Sequence, residues 1–161
     1  MAVDMFLKID GIDGEARDHK HKGAIELLSY SWGLAQTLAP GGGGGAGKPT
    51  VQDFSIVKQI DKSSPKLMEA CCTGEHLPAV QLSLVNKESQ LEYMKIKLTD
   101  VLISSYQTGG AGAGGAVPVD QVSFNFNSVD IQAADKQGRF VSQVSCNFAK
   151  GGDGQIGHDH D

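Results

Sequence analysis

The tract Gly41 to Gly47, closed by Lys48, is the stretch of this chain whose residue types and spacing come nearest to a known chemistry. Glycine backbones followed by a lysine can cradle phosphates, and Gly42 to Lys48 fits the opening of the pattern G-x-x-x-x-G-K-[ST]. The pattern then fails. Pro49 stands where a hydroxyl should reach magnesium, Thr50 comes one residue late, and the following residues alternate like a strand instead of opening the helix whose N-terminus holds the phosphates. The tract reads as a flexible arm whose bare backbone can lie against a neighbouring molecule. Its candidate contact residues are Gly41, Gly42, Gly43, Gly44, Gly45, Gly47 and Lys48. Gly109 to Gly115 reads the same way.

Other reactive residue types are present without a framing pattern. Asp18, His19 and His21 could touch a metal, yet alternate loop residues beside Lys20 and Lys22 supply no further ligand, so the histidines read as solvated and no metal site is expected. His158-Asp159-His160-Asp161 ends a glycine-rich tail and reads as a loose terminus. A thiol nucleophile needs a neighbouring base and access, whereas Cys146 falls on the inward phase of its strand and Cys71 on the inward stripe of a helix. No serine sits in a nucleophile-elbow pattern. Neither an enzyme nor a cofactor is expected.

The elements around these residues are mainly strands. In Leu27 to Leu34, Leu28, Tyr30, Trp32 and Leu34 take one face and Leu27, Ser29, Ser31 and Gly33 the other, as in one long strand with a bulky wall toward a core. The opposite wall is small and smooth. Serine, glycine and alanine suit a surface that lines a passage or lies close to another backbone. Further period-two runs are Val3 to Ile9, Phe54 to Ile60, Val80 to Leu84, Leu91 to Tyr106, Val122 to Ile131 and Phe140 to Phe148. Met94, Ile96, Leu98 and Leu102 are expected on one face of the Leu91 to Tyr106 strand. In Val122 to Ile131 the phase changes by one residue near Ser128, as a bulge would cause. A short helix starts around Ser64 and Pro65 and stops at Gly74, with Leu67, Met68, Cys71 and Cys72 as its inward stripe.

Many strands and one helix imply a single-domain β-barrel of two packed antiparallel sheets with a side helix. The barrel domain is expected over 1–150, followed by a flexible glycine-rich acidic tail over 151–161. The 161 residues carry a net charge of −5 and no long basic run, which argues against nucleic acid. No basic N-terminal leader or spanning apolar run is evident, so folding in the cytoplasm is expected.

The residues Met1 to Ile9, Gly14 to Gly23, Ser29 to Gly33, Val57 to Cys71 and Tyr93 to Ser105 together resemble the haemolysin-coregulated protein (Hcp) family, which forms the inner tube of the bacterial type VI secretion system. The resemblance implies a ring-forming β-barrel, six copies to a ring, stacked into a tube that is expelled with effectors in its lumen. It places Ser29 and Ser31 toward the lumen, with Tyr30 and Trp32 inside the barrel. It makes the glycine arm from Gly41 to Lys48 an inter-subunit or inter-ring contact. The implied partners are further copies of the chain, the spike protein, sheath and baseplate components, and small effectors. Export to the extracellular space or a target cell would need no cleaved signal peptide. The alternative is a ligand-binding β-barrel whose small-residue face lines an internal cavity.

Overall fold

The computed structural model describes residues 2–38, 46–148 and 155–159. Its elements in chain order are β1 (Val3–Ile9), β2 (Ile25–Glu26), β3 (Ser29–Ser31), β4 (Leu34–Leu38), β5 (Ala46–Val51), β6 (Phe54–Gln59), α1 (Ser64–Thr73), β7 (His76–Asn86), β8 (Glu92–Gly109), β9 (Val119–Ala134), β10 (Phe140–Asn147) and β11 (Gln155–Asp159). Every strand pair is antiparallel. A nine-stranded sheet and a separate two-stranded ribbon, β4 with β5, make up the β structure, so the mainly β, single-helix class read from the sequence holds. Within the tail expected over 151–161, Gln155–Asp159 pairs with β10.

The large sheet wraps because β8 and β9 run past two different sets of neighbours. Their first shared stretch, Met94 to Thr99 against Ser128 to Ala133, is flanked by β7 and β10. Beyond it, the beginning of β9 pairs on its other side with β6, and β6 pairs in turn with β3. Between the two regions Asp100 adopts φ +54° and accepts a hydrogen bond from the Asn127 side-chain amide opposite it. One left-handed residue shifts the side-chain phase, so Ile96 and Leu98 point into the core before it, and Val101 and Ile103 after it. Across from them Val129 and Phe126 change phase together. Leu102 therefore does not continue the inward set, and the inward face changes phase at Asp100.

The strand expected over Leu27 to Leu34 is broken. The Leu27 amide donates to Met5 O, whereas the Leu28 amide donates to Val57 O. A chain that changes partner strand there restarts its alternation. Leu27 is buried, Leu28 and Leu34 are 53% and 49% exposed, and only Tyr30 and Trp32 of the expected bulky wall pack on the core. The rings of Tyr30 and Trp32 lie over Phe54, and Trp32 also meets Phe126.

Helix α1 follows its sequence signals closely. Pro65 sits in its first turn, where a missing amide costs nothing, and Gly74 takes the left-handed turn at φ +67°. Leu67 and Ala70 are its buried contacts, with Cys71 partly buried. Met68 and Cys72 are exposed, against expectation, because Ser64 rather than Met68 completes the inward stripe.

Candidate functional site: a neutral wall on a bent sheet

The smooth wall begins at Ser29 and Ser31, both exposed, and the strand register extends it across four strands. Ser31 pairs with Ser55, Ser55 with Ser123, and Ser123 with Ser105. Residues directly opposite in an antiparallel sheet share a face, so β3, β6, β9 and β8 present one row of hydroxyls. The Ser55 and Ser123 hydroxyls are 3.1 Å apart. The next row is Ser29, Val57, Gln121 and Gln107. None of these side chains is charged or aromatic.

Asp53, just before β6, is an exposed carboxylate on this wall, and the same outer face continues to Asp100 of β8 and His76 of β7, which lie 3.0 Å apart. Ser104 donates to Asp53 at 2.7 Å and Asn125 at 3.2 Å, so this carboxylate is exposed yet held in place. Ser104 is the extra residue where the β8 to β9 register shifts between Ile103 and Ser105. The bulge turns its hydroxyl toward Asp53, a typical use of a bulge to re-aim a side chain.

The other region of the same sheet looks different from outside. There the rows are Lys8, Gln81, Lys97, Asp130 and Ser145, then Phe6, Ser83, Lys95, Gln132 and Gln143. Lys95 pairs with Glu92 at 3.3 Å and lies 5.1 Å over the Phe140 ring. The loop from Gly11 to Gly23 docks at this end. Gly14 is required there, because a Cβ would meet Ala24 O at 2.5 Å. His21 is half-buried rather than solvated: its ring stacks on Phe6 with centroids 4.5 Å apart, and its nitrogens meet Asp18 at 2.9 Å and Glu92 at 3.2 Å. That hydrogen bond from His21 holds the Asp18 carboxyl below its ordinary range. His19 remains exposed, and no group of three potential metal ligands exists among the described residues.

Beneath the neutral wall lies a buried ionic network that the sequence reading passed over. Lys58, wholly buried, donates to Asp120 at 2.9 Å, Asp61 at 3.0 Å, Ser64 at 3.0 Å and Gln59 O at 3.1 Å. Tyr106 donates to the second Asp120 oxygen at 2.9 Å, and Ser64 donates to the first. Burial pushes the Asp120 carboxyl up, but hydrogen bonds from Ser64, Lys58 and Tyr106 outweigh it and hold the group below the usual carboxylate range. Burial and the Asp120 charge raise the Tyr106 phenol. The network joins β6, β8 and β9 to the first turn of α1. Its signal was present in the sequence: Lys58 is in phase with Phe54 and Ile56, and Asp120 with Val122 and Phe124, two opposite charges on inward phases.

The glycine arm is only partly covered. Gly41, Gly42, Gly43, Gly44 and Gly45 lie outside the described residues, while Gly47 and Lys48 fall in β5, which pairs with β4 away from the large sheet. The cysteines separate: Cys71 and Cys146 pack on the core, where burial raises the Cys146 thiol, and Cys72 is exposed.

Comparison with known proteins decides the family. The family described as type VI secretion system effector, Hcp, matches residues 6–132. The chain belongs to the Hcp family. It is 46% identical over 135 residues to protein hcp1 of Pseudomonas aeruginosa, covering 81% of this chain and 83% of that one. The crystal structure of Hcp1 from Salmonella typhimurium superposes with a TM-score of 0.79 at 35% identity, over 92% of this chain and 96% of the other. A type VI secretion system effector from Yersinia pestis gives 0.72 at 33% identity, over 89% and 99%. This is a type VI secretion Hcp tube or effector protein. The Hcp fold is built on the bent sheet described above, and no helix among the described residues is long and apolar enough to cross a membrane.

Proposed function

We propose that six copies of this chain close into a ring whose passage is lined by the neutral wall, and that rings stack into the expelled tube of the type VI system. The carrying observation is the pair of open edges on the four-strand unit. Among the described residues β3 pairs only with β6, and β8 beyond Leu102 pairs only with β9. Unpaired edges are templates for another strand. Setting β3 of one copy beside β8 of the next continues the hydroxyl row around the passage. Such a head-to-tail contact closes when its rotation closes.

In this reading Ser29 and Ser31 contact effectors, and the arm from Gly41 to Lys48 reaches the adjoining ring. The chain carries or chaperones effectors and catalyses nothing. Its partners are the spike, sheath and baseplate components, and it assembles in the cytoplasm before export without a cleaved signal peptide. The barrel spans 1–150 and residues 151–161 form an appended tail. The ligand-carrier alternative loses support because the inward positions are filled by Phe54, Ile56, Leu82, Leu98, Val122 and Phe124.

Light scattering on a sizing column at several concentrations tests the assembly. A mass of six chains with ring-shaped particles in micrographs is expected. A monomer at every concentration overturns it.

A further inference from the structure

We propose that the cavity roofed by the Gly11 to Gly23 loop binds a small phosphomonoester, a phosphate group carried on a compact hydroxylated body. The site lies in the charged region of the sheet, apart from the neutral wall, and does not depend on the ring reading. The cavity measures about 330 Å³ and lies between the loop and the outer faces of β1, β7 and β8. Its floor is Lys8, Gln81, Ser83 and Lys95, drawn from two neighbouring cross-strand rows. Lys20 and Lys22 line it from the loop.

Ser83 is the residue that points to a ligand. It stands on the outer face of β7 between Phe6 and Lys95, a position that a bare sheet would leave in water. The loop covers this row, so Ser83 is only 5% exposed. Its hydroxyl nonetheless has no hydrogen-bond partner among the described residues. Buried hydroxyls are as a rule hydrogen-bonded, and this one lines a cavity rich in donors, so the acceptor that it lacks is an oxygen held in that space. Gln81, two residues before it and half-buried, makes no side-chain hydrogen bond among the described residues either.

The charges around the cavity favour an anion. Among the described residues Lys8, Lys20 and Lys22 have no ion pair, and Lys95 shares Glu92 with His21. The Glu92 charge is therefore met from two sides. Asp10 and Asp13 also border the cavity, but both are exposed, where water and salt screen them. A tetrahedral phosphate accepts from several directions at once, which suits donors set on a floor and a roof, and charge-assisted bonds to it are the strong kind. The space exceeds a bare phosphate, and the hydroxyls of a small attached body meet Asp10 and Asp13 as acceptors.

Calorimetric titration of the full-length protein, in the oligomeric state that it adopts, with glycerol phosphate, inorganic phosphate, acetate and glycerol tests the site. Glycerol phosphate is expected to bind with a Kd of about 0.1 mM and inorganic phosphate more weakly, while acetate and glycerol give no binding heat. Ser83→Ala and Lys8→Gln should each weaken glycerol phosphate by about tenfold. Lys97→Gln, on the same outer face but outside the cavity lining, should stay within about twofold of the parent protein. Absence of binding by both phosphates overturns the proposal, as does unchanged binding in either Ser83→Ala or Lys8→Gln. An equal loss in Lys97→Gln means diffuse attraction to a lysine-bearing surface and also overturns it. Binding of glycerol as tight as that of its phosphate, or of inorganic phosphate with glycerol phosphate excluded, rules out the phosphomonoester. Thermal melts of each variant exclude unfolding as the cause of a loss.

Discussion

The two regions of the bent sheet are mirror opposites in where they keep their charge. Around β1, β7 and β10 the outer face carries Lys8, Lys95, Lys97 and Asp130 while the inner face is apolar, with Leu82, Leu84, Ile96, Leu98 and Val129 buried. Around β3 and β6 the outer face is serine and glutamine, and a lysine and an aspartate lie buried beneath it. Charge on a solvated face keeps a surface soluble, whereas a face meant to meet other molecules in many orientations gains from neutrality. The buried pair answers a different need. It ties β6, β8 and β9 to α1 with directional bonds, which apolar packing alone does not supply.

The largest effect expected from breaking this contrast comes from the buried pair. Lys58→Met leaves the Asp120 carboxylate buried without its cation and should cost about 3 to 5 kcal/mol in denaturant unfolding, while replacing both partners with apolar residues should recover much of the loss. Leu98→Ala under the charged region should cost about 2 to 5 kcal/mol as a simple cavity. Unlike Lys58→Met it should not loosen α1. Amide exchange across Ser64–Thr73 distinguishes the two variants, and equal protection of the helix in both would refute the tie.

Acid sharpens the same contrast. Because hydrogen bonds depress Asp120 in the folded state, its contribution is whole above the ordinary carboxylate range near ~4 and is lost as pH falls through the lower folded value. The parent protein should therefore lose stability on acidification in that window. The variant with both Lys58 and Asp120 made apolar should lose less, as judged from melting temperature against pH.

Smaller effects are expected outside. Lys97→Gln should change stability by no more than about 0.5 kcal/mol, and should leave ring mass unaltered. Ser31→Trp should be similarly mild for the fold but should reduce retention of a small effector, since it alters the wall and not the core. Least disruptive is thiol labelling of the native protein. Cys72 should react quickly and Cys71 slowly, and equal rates for both would contradict the helix orientation.

Much of the fold was legible because short-range rules dictate it. Pro65 and Gly74 mark the ends of α1 by backbone chemistry alone, and Val80, Leu82 and Leu84 alternate as a strand must, with all three buried. Ser29 and Ser31 could be picked out as a smooth face because neighbours two apart in a strand share a side. What misled the reading was each point where a strand changes partner or phase. The break at Leu27 and Leu28 and the shift at Asp100 are set by which strands lie alongside, so the local pattern there satisfies two alternations and cannot choose between them.

The sequence by itself determined the strand-rich class, the helix limits, the family and the inward aliphatic sets of strands that keep one phase, such as Val80, Leu82 and Leu84, since these rest on residue type, local spacing and motif. Only the tertiary structure decided that Ser31, Ser55, Ser123 and Ser105 form one row, that Asp53 stands on the same wall, and that Lys58 meets Asp120. These pairs are far apart along the chain. Their contact depends on cross-strand register, which is fixed by the packing of the whole sheet and leaves no mark within a single strand.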